Sequence, residues 1–162
     1  MDCTQNLPEP SFEPSTDPLT IRIVTYAEAL TEIQAIRYAV FQVEQGVDPA
    51  LEFDGQDETA THLMAYQAGT PIGTTRIRYL SDRLAKIERV AVLADYRGSG
   101  VGRRLMAVAI AHLRDRGIPD IKINAQIQVR NFYERLGFCQ RGEVFNEAGI
   151  PHVEMWLSQP EC

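Results

Sequence analysis

Apolar residues along the chain follow two different periods. In seven segments they alternate with polar residues or form short runs of β-branched residues, and Gly, Pro, Asn or Asp borders most of these segments. The pattern is typical of β-strands, because successive side chains along a strand point to opposite faces of a sheet. The predicted strands cover residues 21–24, 62–67, 72–80, 84–92, 120–126, 138–145 and 152–157.

Three other segments repeat their apolar residues every three or four positions, as amphipathic helices do. The first is preceded by Thr25 and Glu28, whose spacing is that of a capping box. Each of the other two ends at a glycine, which is typical of helix C-termini. After the first helix, proline and glycine break the pattern, and we expect a loop with one helical turn. The predicted helices cover about 30–45, 100–116 and 129–136, and the loop covers 46–58.

This order of elements predicts one mixed α/β domain over residues 19–159. We expect a central, mostly antiparallel twisted sheet of six or seven strands, with about four helices on its faces. Turn residues at 68–71 and 146–149 favour a hairpin at each place. Residues 1–18 carry four prolines and few large apolar side chains, and they are predicted to form a flexible tail.

Composition narrows the classes of function. The chain has 162 residues, of which 44% are hydrophobic and 23% charged, and this suits a globular domain with a core. Its net charge of -6 argues against binding to nucleic acid or to an anionic membrane, and no apolar run is long enough to span a bilayer. Without a secretory pattern at the N-terminus, the cytoplasm is the default compartment. The cysteines are scattered and no metal-ligand spacing is present, so we expect no metal.

The segment from Arg97 to Gly102 reads Arg-Gly-Ser-Gly-Val-Gly and lies between a predicted strand and a predicted helix. Such a loop brings unpaired backbone N–H groups and the positive end of a helix dipole to one point. Its glycines remove side chains that would keep an anion from the backbone, and neighbouring arginines add positive charge. We therefore predict a phosphate site, with a tight turn before a solvated basic helix end as the alternative.

Two common phosphate loops do not match this sequence. A Walker loop requires Gly-Lys-Ser/Thr, but Gly102 is followed by Arg103 and Arg104. A dinucleotide fingerprint that starts at Gly98 would need glycine in place of Arg103, and it would normally follow the first strand of its domain. An ATPase and a Rossmann oxidoreductase are therefore poorly supported.

Two motifs resemble the GNAT acetyltransferase superfamily. Arg97-x-x-Gly100-x-Gly102 follows a strand that ends Arg-Val-Ala-Val, and Asn-Phe-Tyr-Glu-Arg-Leu-Gly-Phe comes about 30 residues later, at 131–138. The resemblance extends over nearly all of residues 20–157. Further segments that resemble the ElaA/YjcF-like branch of this superfamily are 37–45, 125–126 and 149–152.

The resemblance implies an N-acyltransferase that uses acetyl-CoA as its cosubstrate. It implies that the loop backbone binds the pyrophosphate and that the main chain at the end of the preceding strand pairs with the pantetheine. Gln126 is expected to add a hydrogen bond, although many superfamily members have Asn there. The residues implied in cofactor binding are Val90, Ala91, Val92, Arg97, Gly98, Ser99, Gly100, Val101, Gly102, Arg103, Gln126 and Asn131.

Acyl transfer to an amine requires an acid and a base. An alkylammonium group has a pKa of about 10.4 and must lose a proton before it attacks, and the departing thiolate needs a proton. Tyr133 is the predicted acid, because a phenol stays protonated at neutral pH, and the resemblance points to the same residue. The alternative is a core tyrosine, because Tyr133 lies on the apolar stripe of its helix.

Glu88 is the predicted base. It lies two residues before Val90, and by the period-two rule the two side chains would share a face of the sheet. The alternatives are an ion pair with a neighbour such as Lys86 or Arg76, and a solvated position at the sheet edge.

Other titratable residues compete for this role or are set aside. Glu44 and Asp57 are alternative bases, and water could relay the proton. His62 and His152 are left out, since a single histidine in a strand is more often packed or exposed than catalytic. Cys139 has no recognisable activating partner, which favours direct transfer in a ternary complex.

The acceptor is predicted to be a primary amine on a small molecule or peptide. Residues 44–58 include several acidic residues and no lysine or arginine, and they lie where GNAT folds frame the acceptor. This motivates the hypothesis of a cationic amine, with a solvated acidic loop as the alternative. A non-enzymatic acyl-CoA sensor and a nucleotide-binding module are the rival functions. The chain does not reveal whether a homodimer forms.

Overall fold

The computed structural model describes residues 18–159. The predicted tail at 1–18 lies outside this range apart from its last residue, as do Cys3 and Cys162. None of the helices within 18–159 has both the length and the apolar character needed to span a membrane. The strands are β1 Leu19–Val24, β2 Thr61–Gln67, β3 Thr70–Tyr79, β4 Leu84–Val92, β5 Asp120–Gln126, β6 Cys139–Glu147 and β7 Ile150–Ser158. The α-helices are α1 Leu30–Arg37, α2 Pro49–Glu52, α3 Val101–Asp115 and α4 Arg130–Arg135.

The strands form one seven-stranded sheet in the order β1-β2-β3-β4-β5-β7-β6. Every neighbouring pair is antiparallel except β4 and β5, which are parallel. A parallel pair needs a long crossover, and the crossover here contains α3. The predicted mixed α/β fold, with a mostly antiparallel sheet and about four helices, is confirmed.

Two hydrophobic clusters lie on opposite faces of the sheet. One packs β1 to β5 and β7 against α3, and the other packs the sheet against α1. Successive side chains of β2 point to alternate faces of the sheet, so Leu63 and Ala65 belong to the first cluster and Met64 belongs to the second. The faces covered by α3 and by α1 are called the α3 face and the α1 face below.

The predicted capping box is present, but the first helix differs from the prediction. The Thr25 N–H donates to Glu28 Oε2 at 2.7 Å, and the Glu28 N–H donates to Thr25 Oγ1 at 3.3 Å. The α-helix ends at Arg37 and continues as a π-helical segment over Tyr38–Glu44. Apolar spacing did not reveal this change, because residues at every third or fourth position also fit the wider turns of a π-helix.

Strand β4 carries a one-residue bulge at Arg89, whose φ of 55° lies in the left-handed region. Arg76 pairs with Glu88 and Thr74 pairs with Ala91, so β4 uses three steps where β3 uses two. As a result, Val90 packs in the α3-face cluster and Ala91 in the α1-face cluster, while Glu88 lies beside Arg76. The expectation that Glu88 and Val90 share a face is wrong, because the period-two count included the extra residue.

Candidate active site

A cleft opens in the middle of the sheet, between β4 and β5. The two strands pair only from Leu84 opposite Asp120 to Lys86 opposite Lys122. Beyond these pairs the strands diverge, and the space between them has a volume of about 970 Å³. Its walls include the π-helical segment on the α1 face and parts of α3 and α4 on the other, so the cleft runs through the sheet.

Most of the predicted site residues meet in this cleft. Ser99 and Asn131 are exposed and do not line it; the Ser99 hydroxyl donates to the carbonyl of Tyr96 at 2.9 Å. The predicted residues that line the cleft are Glu88, Val90, Ala91, Val92, Arg97, Gly98, Gly100, Val101, Gly102, Arg103, Gln126 and Tyr133.

The glycine-rich loop forms the N-terminus of α3 at one end of the cleft. Gly98 and Gly100 have φ values of 81° and 88°, which glycine adopts without strain. The first intrahelical bond runs from the Arg104 N–H to the Gly100 carbonyl at 3.0 Å, so the preceding N–H groups have no acceptor within the helix. A Cβ on Gly102 would lie 3.7 Å from the ring of Phe132, so a larger side chain would narrow the cleft there. This end of the cleft can bind an anion through its backbone.

Arg97 supplies a structural link beside this loop. Its guanidinium donates to both carboxylate oxygens of Glu44, at 2.8 and 2.9 Å, and its Nε–H donates to the carbonyl of Val92 at 2.9 Å. The pair joins the loop to the end of the π-helical segment. Glu44, one of the alternative bases, is thus held by an arginine at the surface.

The end of β4 presents an open backbone edge to the cleft. On one side, β3 pairs with Ala91 and Val92, but on the other side no strand pairs with β4 after Lys86. The N–H and carbonyl groups on this open side are suited to an extended ligand that adds to the edge as a further strand would.

Helix α4 brings Tyr133 into the cleft wall. The ring packs edge-on against Phe132 and Phe138, with centroids 4.9 and 6.0 Å away. Burial raises the pKa of the hydroxyl well above its ordinary value, so it stays protonated across the physiological range. Tyr133 therefore belongs to the core cluster and also lines the cleft.

Gln126 connects the end of β5 with the segment that follows the π-helix. Its Nε2 donates to Gln45 Oε1 at 2.9 Å, and its Oε1 accepts from Gln128 Nε2 at 2.6 Å. The amide is therefore oriented by its neighbours at the cleft wall.

Glu88 is the centre of a group of cationic side chains. Arg76 donates to its Oε1 from Nη2 at 2.6 Å, Arg78 binds the same oxygen, and the Lys86 ammonium lies 3.2 Å from Oε2. Burial acts to raise the pKa of Glu88, but the charges of Arg76, Lys86 and Arg78 outweigh it and lower the pKa. The ion pair considered for Glu88 from the sequence is the arrangement observed.

The acidic segment is largely neutralised inside the protein. Glu52 and Asp57 are buried and both bind Arg37, while Asp54 and Asp57 bind Arg76, which has no exposed surface. Burial acts to raise the pKa of Asp57, but its hydrogen bond to Arg37 leads the effects that lower it. These carboxylates are neither a solvated loop nor free anions in the cleft.

His152, which the sequence reasoning set aside, lies at the opposite wall of the cleft. It is 6% exposed, and its Nδ1 lies 2.6 Å from the carbonyl oxygen of Ile150, which can only accept a hydrogen bond. Nδ1 therefore carries the proton in the neutral ring, and Nε2 is the basic nitrogen, 3.5 Å from Glu147 Oε2. The sequence feature that could have identified His152 is its position in segment 149–152, which resembles the ElaA/YjcF-like branch.

Two negative features complete the description. Cys139 is exposed and free. Over residues 18–159, no three His, Cys, Asp or Glu side chains are grouped so that they could hold a metal ion.

Sequence comparisons identify related proteins over most of the chain. The family described as an acetyltransferase (GNAT) domain matches residues 26–159. The uncharacterized N-acetyltransferase YjcF of Bacillus subtilis is 34% identical over 129 residues, which cover 79% of this chain and 91% of YjcF. Protein ElaA of Escherichia coli is 34% identical over 128 residues, which cover 74% of this chain and 81% of ElaA.

Solved structures show the same architecture. The crystal structure of Escherichia coli ElaA matches 86% of this chain and 99% of its own with a TM-score of 0.77 and 28% identity. An acyl-CoA N-acyltransferase from Pseudomonas aeruginosa matches the same shares with a TM-score of 0.77 and 29% identity. The resemblance to the ElaA/YjcF-like proteins is confirmed.

Proposed function

The chain belongs to the GNAT acetyltransferase family, and from this we propose that it transfers an acetyl group from acetyl-CoA directly to a primary amine in a ternary complex. The observation that carries the proposal is one continuous cleft that joins an anion-binding helix N-terminus, an open strand edge and a buried, protonated tyrosine. No single phosphate loop or isolated tyrosine would combine these features.

The residues of the cleft fit acetyl-CoA by their chemistry. Backbone N–H groups at the start of α3 suit the pyrophosphate, and the open edge of β4 from Val90 to Val92 suits the amide groups of pantetheine. The Pseudomonas relative is described as an acyl-CoA N-acyltransferase. A GNAT acetyltransferase from Elizabethkingia anophelis was solved with acetyl-CoA bound; it matches 87% of this chain and 98% of its own with a TM-score of 0.66 and 18% identity, which supports the fold alone.

Acetyl-CoA would supply the acetyl group as a thioester, activated for attack by an amine. The backbone N–H near Val90 would donate to the carbonyl oxygen as negative charge develops there. The Tyr133 hydroxyl, which its raised pKa keeps protonated and which lies in the cleft wall, would donate its proton to the departing thiolate.

We assign the base to His152 in preference to Glu88. The Nε2 of His152 is free of a proton in the neutral ring, and the positive charge formed after proton uptake would lie 3.5 Å from Glu147. Glu88 remains a cleft residue, but the cations that bind it lower its pKa and make it a weaker proton acceptor.

Two measurements test this function against its rivals. Melting temperatures are measured with acetyl-CoA, CoA, ATP and NADPH, and thiol release from acetyl-CoA is then measured with a panel of amines. We expect stabilisation by acetyl-CoA and CoA, followed by amine-dependent thiol release. Stabilisation by ATP but not CoA would favour the nucleotide-binding module.

A matched variant separates the enzyme from the acyl-CoA sensor. Tyr133→Phe removes only the hydroxyl, so the ring and its packing remain. We expect turnover to fall by about 100-fold with little change in CoA binding. Binding of CoA without turnover on any amine, in both proteins, would favour the sensor.

A further inference from the structure

The α1 side of the cleft contains more positive than negative charge. Ion pairs of 4.0 Å or less connect one continuous group of side chains there, all of them at most 29% exposed. Because the group is largely removed from water, an excess charge in it is costly unless a counter-charge lies nearby. The cations are Arg37, Arg76, Arg78, Lys86 and Arg89, and the carboxylates are Glu52, Asp54, Asp57 and Glu88.

Arg89 is the cation with the weakest compensation. Its hydrogen bonds all come from Nη2, to the carbonyls of Leu51 and Glu52 and to Asp54, at 3.1 to 3.3 Å. Its Nη1 lies 4.0 Å from Glu88, and its Nε is buried without a hydrogen-bond partner. Burial lowers the pKa of Arg89, and repulsion from Arg76 adds to this effect. A guanidinium offers five N–H donors, and most of these remain unused.

The backbone at Arg89 is also unusual. Its left-handed φ of 55° is uncommon for a residue other than glycine, and the bulge that creates it directs the side chain to the cleft. Strained backbone of this kind is concentrated at functional sites, where binding offsets its cost.

Unpaired polar atoms cluster around the same space. Within residues 18–159, three buried side-chain atoms lack a hydrogen-bond partner: Arg89 Nε, Glu52 Oε2 and Asn124 Oδ1. All three residues line the cleft. Because these three atoms have almost no accessible surface, they mark an incompletely satisfied wall, and a ligand in the cleft would contact the part of the Arg89 side chain that remains 20% exposed.

We propose that Arg89, supported by Arg78 and Lys86, binds a carboxylate on the acceptor, so that the substrate is an amino carboxylate rather than a simple or polycationic amine. This rests on the proposed acyl transfer. The carboxylate of the acceptor then lies against the β4 wall, where the excess positive charge is. The amine of the acceptor points to the opposite wall, which contains Asn124 and His152. Glu52, Asp54 and Asp57, three carboxylates of the acidic segment that motivated a cationic acceptor, are already bound by arginines and are not free to attract a cationic amine.

Matched acceptor pairs test the proposal. The series is glycine, β-alanine, 4-aminobutanoate and 5-aminopentanoate, each compared with its own carboxamide, with acetyl-CoA saturating. We expect the acid of at least one pair to be acetylated with kcat/KM at least about 10-fold above that of its amide, because a charged hydrogen-bond pair contributes this much or more.

Variants assign the preference to Arg89. Arg89→Gln should raise KM for the preferred acid by about 10- to 100-fold and leave KM for its amide and for acetyl-CoA nearly unchanged. Arg89→Lys should retain part of the preference, and Lys86→Gln should show a smaller loss, which provides a second test if Arg89→Gln folds poorly. Arg83→Gln is the control, since Arg83 is exposed and does not line the cleft.

Two results would overturn the carboxylate site: amides acetylated as well as their acids in every pair, or an equal effect of Arg89→Gln on both members. If no amine is acetylated although acetyl-CoA binds, the proposed function fails instead. Binding of the same acids, measured by calorimetry, then tests the carboxylate site separately. Equal binding to wild type and to Arg89→Gln would overturn that site.

Discussion

The two ends of the cleft are built in opposite ways. The end at the start of α3 is formed by backbone groups of one contiguous segment, from Val90 to Arg103. The end around Arg89 is formed by side chains from distant segments, which meet through ion pairs that join residues up to 35 positions apart. A site built from the backbone of one segment can be found in the sequence as a local glycine motif, whereas a site built from side chains of distant segments has no local motif.

The largest expected effect comes from the buried ion pairs. Arg76→Met should lower the free energy of unfolding by about 3 to 5 kcal/mol, because Asp57 and Glu88 would remain buried without their shared partner. Urea unfolding measures the change. Arg97→Gln, which breaks a half-exposed pair with Glu44, should cost less than about 1 kcal/mol. Similar losses in both variants would remove the contrast between the two ends.

Substitution of His152 should reduce the rate of catalysis more than substitution of Glu88. His152→Gln should lower kcat by about 100-fold, because the predicted proton acceptor is removed. Glu88→Gln should affect stability more than kcat, since its carboxylate is held by cations. Steady-state kinetics and urea unfolding of both variants check this. A larger fall in kcat for Glu88→Gln would return the role of base to Glu88.

Acidification should destabilise the buried ion pairs around Arg89 before it affects the glycine-rich loop. The pKa values of Asp54, Asp57 and Glu88 are lowered in the folded protein, so these groups stabilise it above their unfolded values near 4. That stability is lost as the pH falls through the lowered values. The urea midpoint should therefore begin to fall as the pH drops below about 6.5, because burial lowers the pKa of His62 and the unfolded state takes up that proton first. It should fall further below about pH 5 as the carboxylates are protonated, with a shallower acid fall in Arg76→Met. A midpoint that rises on acidification would contradict the sign.

A substitution in the glycine-rich loop should have a smaller effect on folding than the loss of the buried ion pairs. Gly100→Ala places a Cβ where nothing lies within 4 Å, so its cost comes from the φ of 88° alone and should be about 1 to 2 kcal/mol. Acetyl-CoA binding should weaken as the loop distorts, while KM for the acceptor stays unchanged. Calorimetry and kinetics measure the two. Gly117→Ala is the matched control, because Gly117 has a φ of 75° and open space around its Cβ position but does not line the cleft.

The sequence predicted what depends on local periodicity. The bounds of β4 and β5, the capping box and the cofactor loop all follow from spacing within a few residues. The π-helical segment was missed because its apolar spacing also fits an α-helix, and the bulge was missed because the period-two count was carried through Arg89 without a break.

The ion pairs of the acidic segment could not be predicted from the sequence for a different reason. Its partners, Arg37 and Arg76, lie 15 to 22 positions away along the chain, and only the folded sheet brings them together. The position of His152 in the cleft wall and its contact with the carbonyl of Ile150 were missed likewise, because they depend on the fold and on the side-chain rotamer and not on composition.

Arg89 is a supernumerary residue in its strand. Removing it from the count leaves a regular parity, with Ile87 and Val90 on one side and Glu88 and Ala91 on the other. The packing of the two faces of the sheet therefore does not constrain which side chain stands at position 89, whereas it does constrain the neighbouring positions. A position freed from packing can carry a charge that the interior would otherwise reject, and it can change its charge between related proteins without disturbing the layers on either side.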